Sequence, residues 1–268
     1  VKLKDKVAVI TGAATGLGRA TAIGAAGEGA RLVLADIDAT GGQATARQIA
    51  DQGGTAHFVP TDLSQSADVR RLMDTTDKHF GHLDILINPA AILVDPGTRI
   101  DDYSEASWRR VIDVNLTGSF LLLKYAVPLM QKANGGVILL VISGAGVLGG
   151  SSSLPYGSSK GGVRGLVLVA REQLRPLNIR IHAVSPSEMA TNMKLGAIRE
   201  MAAKAGRSAA EAEREARPGL SSPEHSAAKL IDLASAAGDA AEDAATIFDG
   251  DWDTKTHSLS IPSDRKLQ

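Results

Sequence analysis

Short uninterrupted apolar runs recur along this chain, separated by longer stretches of small, polar and charged residues. The first, Val7-Ala8-Val9-Ile10, stops at Thr11-Gly12 and gives way to a small-residue segment of helical character. Comparable runs occupy residues 32–35, 57–59, 83–87, 137–142, 179–184 and 246–248. They lack the in-and-out alternation of a strand with one wet face, so the pattern predicts strands covered on both sides. Most intervals between them are long enough for a helix. The predicted fold is α/β, a doubly wound, mostly parallel seven-stranded sheet with helices on both faces.

Local punctuation agrees. Asp38 and Ser66 stand as helix caps before segments that run to Ala50 and Phe80, and Gly53-Gly54 and Gly81 follow their ends. Gly24 and Gly27 interrupt the first helix, which predicts close packing of that helix on the sheet. The segment 187–219 breaks the rhythm, with Met189, Met193, Leu195, Ile198 and Met201 spaced like one helix face. It reads either as a mobile flap over a substrate or as a plain surface helix pair. The polar tail 251–268, with Pro262, is expected to be irregular or to touch another subunit. No repeat or linker appears, so residues 1–268 read as one domain.

Composition narrows the function classes. Lys and Arg (29) nearly balance Asp and Glu (30), which leaves no long-range field for nucleic acid or an anionic membrane. The chain has no cysteine, which excludes disulfides, thiolate metal sites and a thiol nucleophile and is compatible with the cytoplasm as its expected location. No stretch approaches the roughly 20 apolar residues of a membrane span. Lys4-Asp5-Lys6 also interrupts the only candidate leader. Small-molecule partners and no metal are expected.

The turn Thr11-Gly12-Ala13-Ala14-Thr15-Gly16-Leu17-Gly18 lies where the first strand meets the first helix. Gly12 would permit a tight turn, Gly16 would let the backbone approach a pyrophosphate, and Gly18 would let helix and strand pack closely. A glycine-rich turn made for packing alone is the alternative. Asp36 follows 18 residues after Gly18, at the end of the next strand. A carboxylate there accepts from ribose hydroxyls and repels a 2′-phosphate, which favours NAD over NADP. Thr15, before Gly16, supplies no cation for such a phosphate.

Tyr156-Gly157-Ser158-Ser159-Lys160 places a phenol and an ammonium one helical turn apart. A nearby ammonium, aided by the positive charge of an oxidised nicotinamide, favours phenolate and so lowers the phenol's pKa, turning it into a usable acid or base. Such pairs are also common on solvated helices, so the neighbours decide. Ser143 follows the apolar run 137–142 and emerges at the carboxyl edge of the sheet, within reach of a substrate oxygen. Asn115 falls on a predicted helix, where it could hold a water linking Lys160 to solvent or serve as a kink or capping amide.

With these residues in place, the chain resembles the short-chain dehydrogenase/reductase family from about Lys6 to Gly250. The match rests on the glycine turn, Asp62, Asn88, Trp108, Asn115, Ser143 thirteen residues before Tyr156, and Lys160. The resemblance implies an Asn115-Ser143-Tyr156-Lys160 tetrad, with Lys160 also gripping the nicotinamide ribose. It implies that Asp62 and Leu63 contact adenine, that Ile37 packs near it, and that Asn88 and Ala90 line the adenosine side. Pro186, Met189 and Thr191 correspond to the segment that meets the nicotinamide carboxamide. It also implies a homodimer or homotetramer through the helices near Tyr125 and Val163.

Three departures stand out. Asn88-Pro89-Ala90-Ala91 replaces the family's Asn-Asn-Ala-Gly, which puts sheet support near the cofactor in question. Pro186-Ser187 replaces Pro-Gly, which restricts the backbone and could shift the nicotinamide. Asp243-Ala244-Ala245-Thr246 and Asp249-Gly250-Asp251 each lack a family glycine, nearer a subunit edge than the chemistry. The function expected is an NAD(H)-dependent oxidoreductase of secondary alcohols and ketones. Leu93, Val94, Leu148, Leu154, Met189 and Met193 suggest a partly apolar pocket, to which residues 151–153 could add hydroxyls. The alternatives are an NADP-dependent 3-oxoacyl-thioester reductase, weakened by Asp36, and a non-catalytic NAD(H)-binding sensor or scaffold, motivated by Pro89 and Ser187.

Overall fold

The computed structural model describes residues 1–241, 243–253 and 258–259. Seven strands, β1 (Val7–Thr11), β2 (Arg31–Asp36), β3 (Thr55–Pro60), β4 (Ile85–Asn88), β5 (Gly136–Val141), β6 (Ile179–Ser185) and β7 (Thr246–Phe248), pair in parallel in the order 3-2-1-4-5-6-7. This is the expected doubly wound, Rossmann-like sheet. Nine helices accompany the described residues: α1 (Gly16–Gly27), α2 (Ala39–Asp51), α3 (Ser66–Phe80), α4 (Glu105–Ile112), α5 (Gly118–Lys132), α6 (Leu154–Leu174), α7 (Asn192–Lys204), α8 (Ala209–Ala216) and α9 (Pro223–Ala234).

The apolar runs are continuous because both sheet faces are covered. In β1, Ala8 and Ile10 join one core with Leu17 and Ala22 of α1, Ile49 of α2 and Leu230 of α9. Val7 and Val9 join the other, with Leu72 of α3, Leu122 of α5 and Val163 of α6. Strand order reverses at β1, which pairs with β2 on one side and β4 on the other. A crevice at the carboxyl ends follows from that reversal.

Several local expectations are corrected. Gln65, not Ser66, is the cap position of α3 and makes no side-chain cap. Asp68 instead accepts from Asp62 N at 3.0 Å, and the Ser66 hydroxyl pairs with that of Tyr125 at 2.8 Å. The fourth strand starts at Ile85 because Leu83 N donates to Leu129 O of α5, at 3.3 Å, rather than to a strand. A Cβ on Gly24 would come within 2.6 Å of Ile231 Cδ1, so this glycine serves the α1–α9 contact and not the sheet; nothing around Gly27 explains it. The segment 187–219 holds two helices, α7 and α8, and Met189 lies ahead of both, bridged to Ser221. In the tail, β8 (Trp252–Asp253) pairs antiparallel with β9 (Ser258–Leu259) where irregular chain was expected; Pro262 lies outside the described residues. No helix among the described residues is long and apolar enough to cross a membrane.

Among the described residues, His182 of β6 is the one buried histidine. It is 1% exposed, its Nδ1–H donates to Ala244 O at 2.6 Å, and its Nε2 has no partner among the described residues. Burial pushes the imidazole down to about 4; Arg180 and Arg171 add to this, against an upward pull from the Ala244 carbonyl. The unfolded chain, with an ordinary pKa near 6.5, binds the proton first. The stabilisation is therefore complete above about pH 6.5 and is lost as pH falls towards about 4, by about 3 kcal/mol in all. Urea unfolding between pH 7.5 and 4.5 is expected to show this acid loss in the parent and a shallower one in His182→Leu. Equal acid slopes in the two proteins would refute it.

Candidate active site

A cleft of about 1380 Å³ opens over the carboxyl ends of the central strands. Its floor is the turn between β1 and α1. Gly12 (φ +62°) and Gly16 (φ +54°) hold left-handed backbone that residues with side chains resist. A Cβ on Gly18 would lie 2.1 Å from Gly12 O, so only glycine lets α1 begin this close to the turn. Thr15 caps α1 without a side-chain bond, and no acidic residue occupies the first turn. The N–H groups at the start of α1 therefore remain available to an anion.

Asp36 ends β2 on one flank of the cleft. Its Oδ2 accepts from Ala14 N and its Oδ1 from Asp38 N, each at 2.9 Å, which leaves a lone pair on each oxygen. Ile37, 72% exposed, continues that wall with Asp62 and Leu63. Ala90 lines the cleft against the turn, its Cα 3.1 Å from where a Cβ on Gly12 would stand.

Asn88 does not line the cleft as the resemblance implied. It is buried below, accepting from the Thr11 hydroxyl and donating to Ser119 Oγ at 3.1 Å. Sheet support beside the turn is intact despite Pro89. The Ala90 N–H reaches back to Thr11 Oγ1 at 3.3 Å.

On the opposite flank Ser143, Tyr156 and Lys160 converge. Ser143 follows β5, and its hydroxyl lies near enough to the Tyr156 phenol to favour the phenolate. Tyr156 and Lys160 lie on α6, with the Lys160 Nζ 5.8 Å from the phenol ring centre. Lys160 is 3% exposed, and Nζ donates to Val141 O at 2.6 Å. Burial pushes its ammonium down to about 8. The phenol of the free protein shifts the other way. Burial raises it above its ordinary value, with the Ser143 hydroxyl pulling the other way. Lys160 Nζ, 5.8 Å from the ring centre, is turned to the Val141 carbonyl and not to the phenol oxygen.

Asn115 stands behind this trio, 1% exposed, in a turn of π-helix (Asp113–Thr117) between α4 and α5. Its amide is committed: Oδ1 accepts from Ile92 N at 2.8 Å, and Nδ2 donates to Ile92 O at 2.9 Å and to Ser159 Oγ at 3.0 Å. The kink reading describes its surroundings; neither amide hydrogen is left for a water. Ser159, which sequence reasoning passed over, donates to Tyr156 O at 2.7 Å.

Beyond β6, Pro186, Met189 and Thr191 line the cleft, and Thr191 Cγ2 lies 3.4 Å from where a Cβ on Gly16 would stand. This segment is anchored at Ser187 by the buried Asp249, whose stretch was expected nearer a subunit edge than the chemistry and which instead lines the cleft. The signal was available, because Asp249 follows the last apolar run and so had to emerge at the carboxyl edge. Farther out, Leu93, Leu148 and Met193 form apolar walls with Ser151 and Ser152 among them. Val94 and Leu154 are not on the wall, and Ser153 is buried, donating to Val94 O at 2.8 Å. Lys204, at the end of α7, donates to Pro96 O at 2.8 Å and to Thr98 Oγ1 at 3.2 Å, tying α7 to the loop after β4.

The family and its members fit this geometry. Residues 6–202 match the model of the short chain dehydrogenase family, and the chain belongs to that family. Over 192 residues it is 38% identical to the cis-4-hydroxycyclohexanecarboxylate dehydrogenase of Sinomonas cyclohexanicum, covering 72% of this chain and 76% of that one. The trans-4-hydroxycyclohexanecarboxylate dehydrogenase of the same organism is 37% identical over 201 residues, covering 73% and 76%. The crystal structure of levodione reductase superposes with a TM-score of 0.83 at 28% identity, over 92% of this chain and 96% of that one.

The raised phenol is directly observable. In the free protein, the ultraviolet difference titration between the parent and Tyr156→Phe is expected to place the Tyr156 transition above pH 10. A transition below that value would mean that Lys160 outweighs burial.

Proposed function

We propose that the protein is an NAD(H)-dependent oxidoreductase that interconverts secondary alcohols and ketones. The observation that carries this reading is the convergence of Ser143, Tyr156 and Lys160 on a cleft floored by the glycine turn. The residues suit a dinucleotide. Gly12, Thr15, Gly16, Leu17 and Gly18 shape a turn whose helix start accepts a pyrophosphate. Asp36 accepts from the adenosine ribose, Ile37 and Leu63 flank adenine with Asp62 beside it, and Ala90 backs the turn. Pro186, Met189 and Thr191 face the nicotinamide end, and Lys160 holds its ribose.

When bound, the nicotinamide gives or takes the hydride at the substrate carbon. The chain's own residues manage the oxygen. Ser143 donates a hydrogen bond to it. Tyr156, held as a neutral phenol by burial, transfers its proton to the oxygen during reduction and recovers one during alcohol oxidation. The Lys160 ammonium stabilises the phenolate left behind. Asn115 acts from behind as a positioning residue, through Ser159 and the backbone of Tyr156.

Leu93, Leu148 and Met193 favour an apolar substrate body, and the relatives named for hydroxycyclohexanecarboxylates are consistent with a ring. Segment 187–219 serves as the flap over it. Exposed Phe120 of α5 and Leu168 and Val169 of α6 suit burial in a homodimer or homotetramer. The committed amides of Asn88 and Asn115 weigh against a degenerate scaffold.

Reduced-nicotinamide absorbance, followed with cyclic ketones and alcohols, is expected to register turnover with NAD(H). Tyr156→Phe is expected to lower kcat by about 10²- to 10⁴-fold without loss of NADH binding. Asp36→Ala should erode the preference for NAD over NADP. A parent protein that prefers NADPH would overturn the cofactor assignment. NADH binding without turnover of any alcohol or ketone would favour the sensor.

A further inference from the structure

Asp249 follows β7 and is 4% exposed, yet it is a carboxylate. Its Oδ2 accepts from Ser187 N at 3.1 Å, from Ser187 Oγ at 2.8 Å and from Ser226 Oγ of α9 at 2.8 Å. Its Oδ1 lies 3.3 Å from Lys229 Nζ, which also donates to the Asp249 carbonyl. Burial by itself would raise this carboxyl, but the hydroxyls, the Ser187 N–H and the Lys229 charge together hold it below its ordinary value. It is thus a fixed anion at the working pH.

The two sides of this cluster are held differently. Ser226 and Lys229 belong to α9, whose Leu230 and Ile231 are locked in the core against α1. Ser187 opens the irregular segment that leads from β6 to α7. That segment is also held farther along, where Ser221 N donates to Glu188 O at 2.9 Å and Ala190 N to Ser221 O at 3.0 Å, and where Lys194 of α7 donates from Nζ to Glu188 Oε1 at 2.6 Å and from its backbone N to Thr191 Oγ1 at 3.3 Å. Its far end brings Thr191 over Gly16. The height of this segment above the glycine turn is therefore set by these anchors, and the one next to β6 is Asp249. A glycine at position 187 would offer Asp249 one donor, the backbone N–H. Serine offers two from a single residue, and both are used.

We propose that Asp249 is a positioning residue for the nicotinamide end of the cofactor, acting through Ser187 to fix the segment 186–191. The proposal rests on the dinucleotide reading above. It makes the serine at 187 a second hold on the loop and not a defect in it.

The test compares two probes of the full chain by titration calorimetry. NAD⁺ spans the whole cleft, and ADP-ribose has every part of it except nicotinamide. Asp249→Asn and Ser187→Gly are each measured, with the melting temperature of each. Ser187→Gly keeps the N–H and removes only a hydroxyl at an exposed position, so it keeps the test open where a change at the buried carboxylate unfolds the chain. Loosening the loop is expected to raise the Kd for NAD⁺ by about tenfold in Asp249→Asn and by a few-fold in Ser187→Gly. ADP-ribose affinity should stay within about twofold. Parallel weakening of both probes, or no change for NAD⁺ in a folded variant, would overturn the inference alone. A parent protein that binds neither probe would overturn the cofactor reading and this inference with it.

Discussion

The architecture depends on one buried chain of hydrogen bonds that runs from the glycine turn to the phenol-bearing helix. The Thr11 hydroxyl donates to Asn88, Asn88 to Ser119, Ser119 to the Asn115 carbonyl, the Asn115 amide to Ser159, and Ser159 to the Tyr156 carbonyl. Each hydroxyl in the middle of the chain gives one bond and receives one, and both hydrogens of the Asn115 amide are used. A single such bond contributes about 1 kcal/mol net, but leaving one partner unmatched in the interior costs roughly 1–3 kcal/mol. The chain therefore behaves as a unit. It couples the switch point, where β1 meets β4, to the turn of α6 that carries Tyr156 and Lys160.

That coupling explains how a cleft on the edge of a sheet can be rigid on both flanks. The turn is held by glycines that exclude every side chain, and α6 is held by groups that are fully committed. Between them, burial sets the proton states. Lys160 keeps a charge weakened by desolvation, and Tyr156 is held neutral by the same cause. A site with a neutral phenol and a cation beside it is prepared to give a proton to an oxygen that gains charge. A cation added in the cleft would shift that balance towards phenolate. The proton state of the phenol then depends on what the cleft holds, and less on the distance between Tyr156 and Lys160.

Much of this was legible in the sequence. The seven apolar runs became seven strands because period-free runs have one economical solution, burial on both faces. Gly12, Gly16 and Gly18 were readable because steric exclusion acts locally. Asp36 and Ser143 were readable from their register at strand ends. What stayed hidden was partnership over long sequence distance. Asn88 and Asn115 were legible as important, but their amides were expected at the cleft and lie beneath it, paired with residues 77 and 44 positions away. The raised Tyr156 phenol of the free protein was not legible because spacing reveals the ammonium but not the burial around the phenol. Gly24 was tied to the sheet because its true neighbour, Ile231, is far along the chain.

The departures from the family pattern follow the same logic. Pro89 removes an N–H, yet the strand end keeps its hold because the Asn88 side chain and the Ala90 N–H both converge on Thr11 Oγ1. Ser187 removes backbone freedom, and its hydroxyl reaches the one buried carboxylate close enough to use it. In both places a loss written in the backbone is offset by a side chain that a motif comparison does not weigh. A missing glycine or amide is therefore weak evidence of lost function until the neighbouring donors and acceptors have been accounted for. Here that accounting leaves the turn supported and the segment over it anchored.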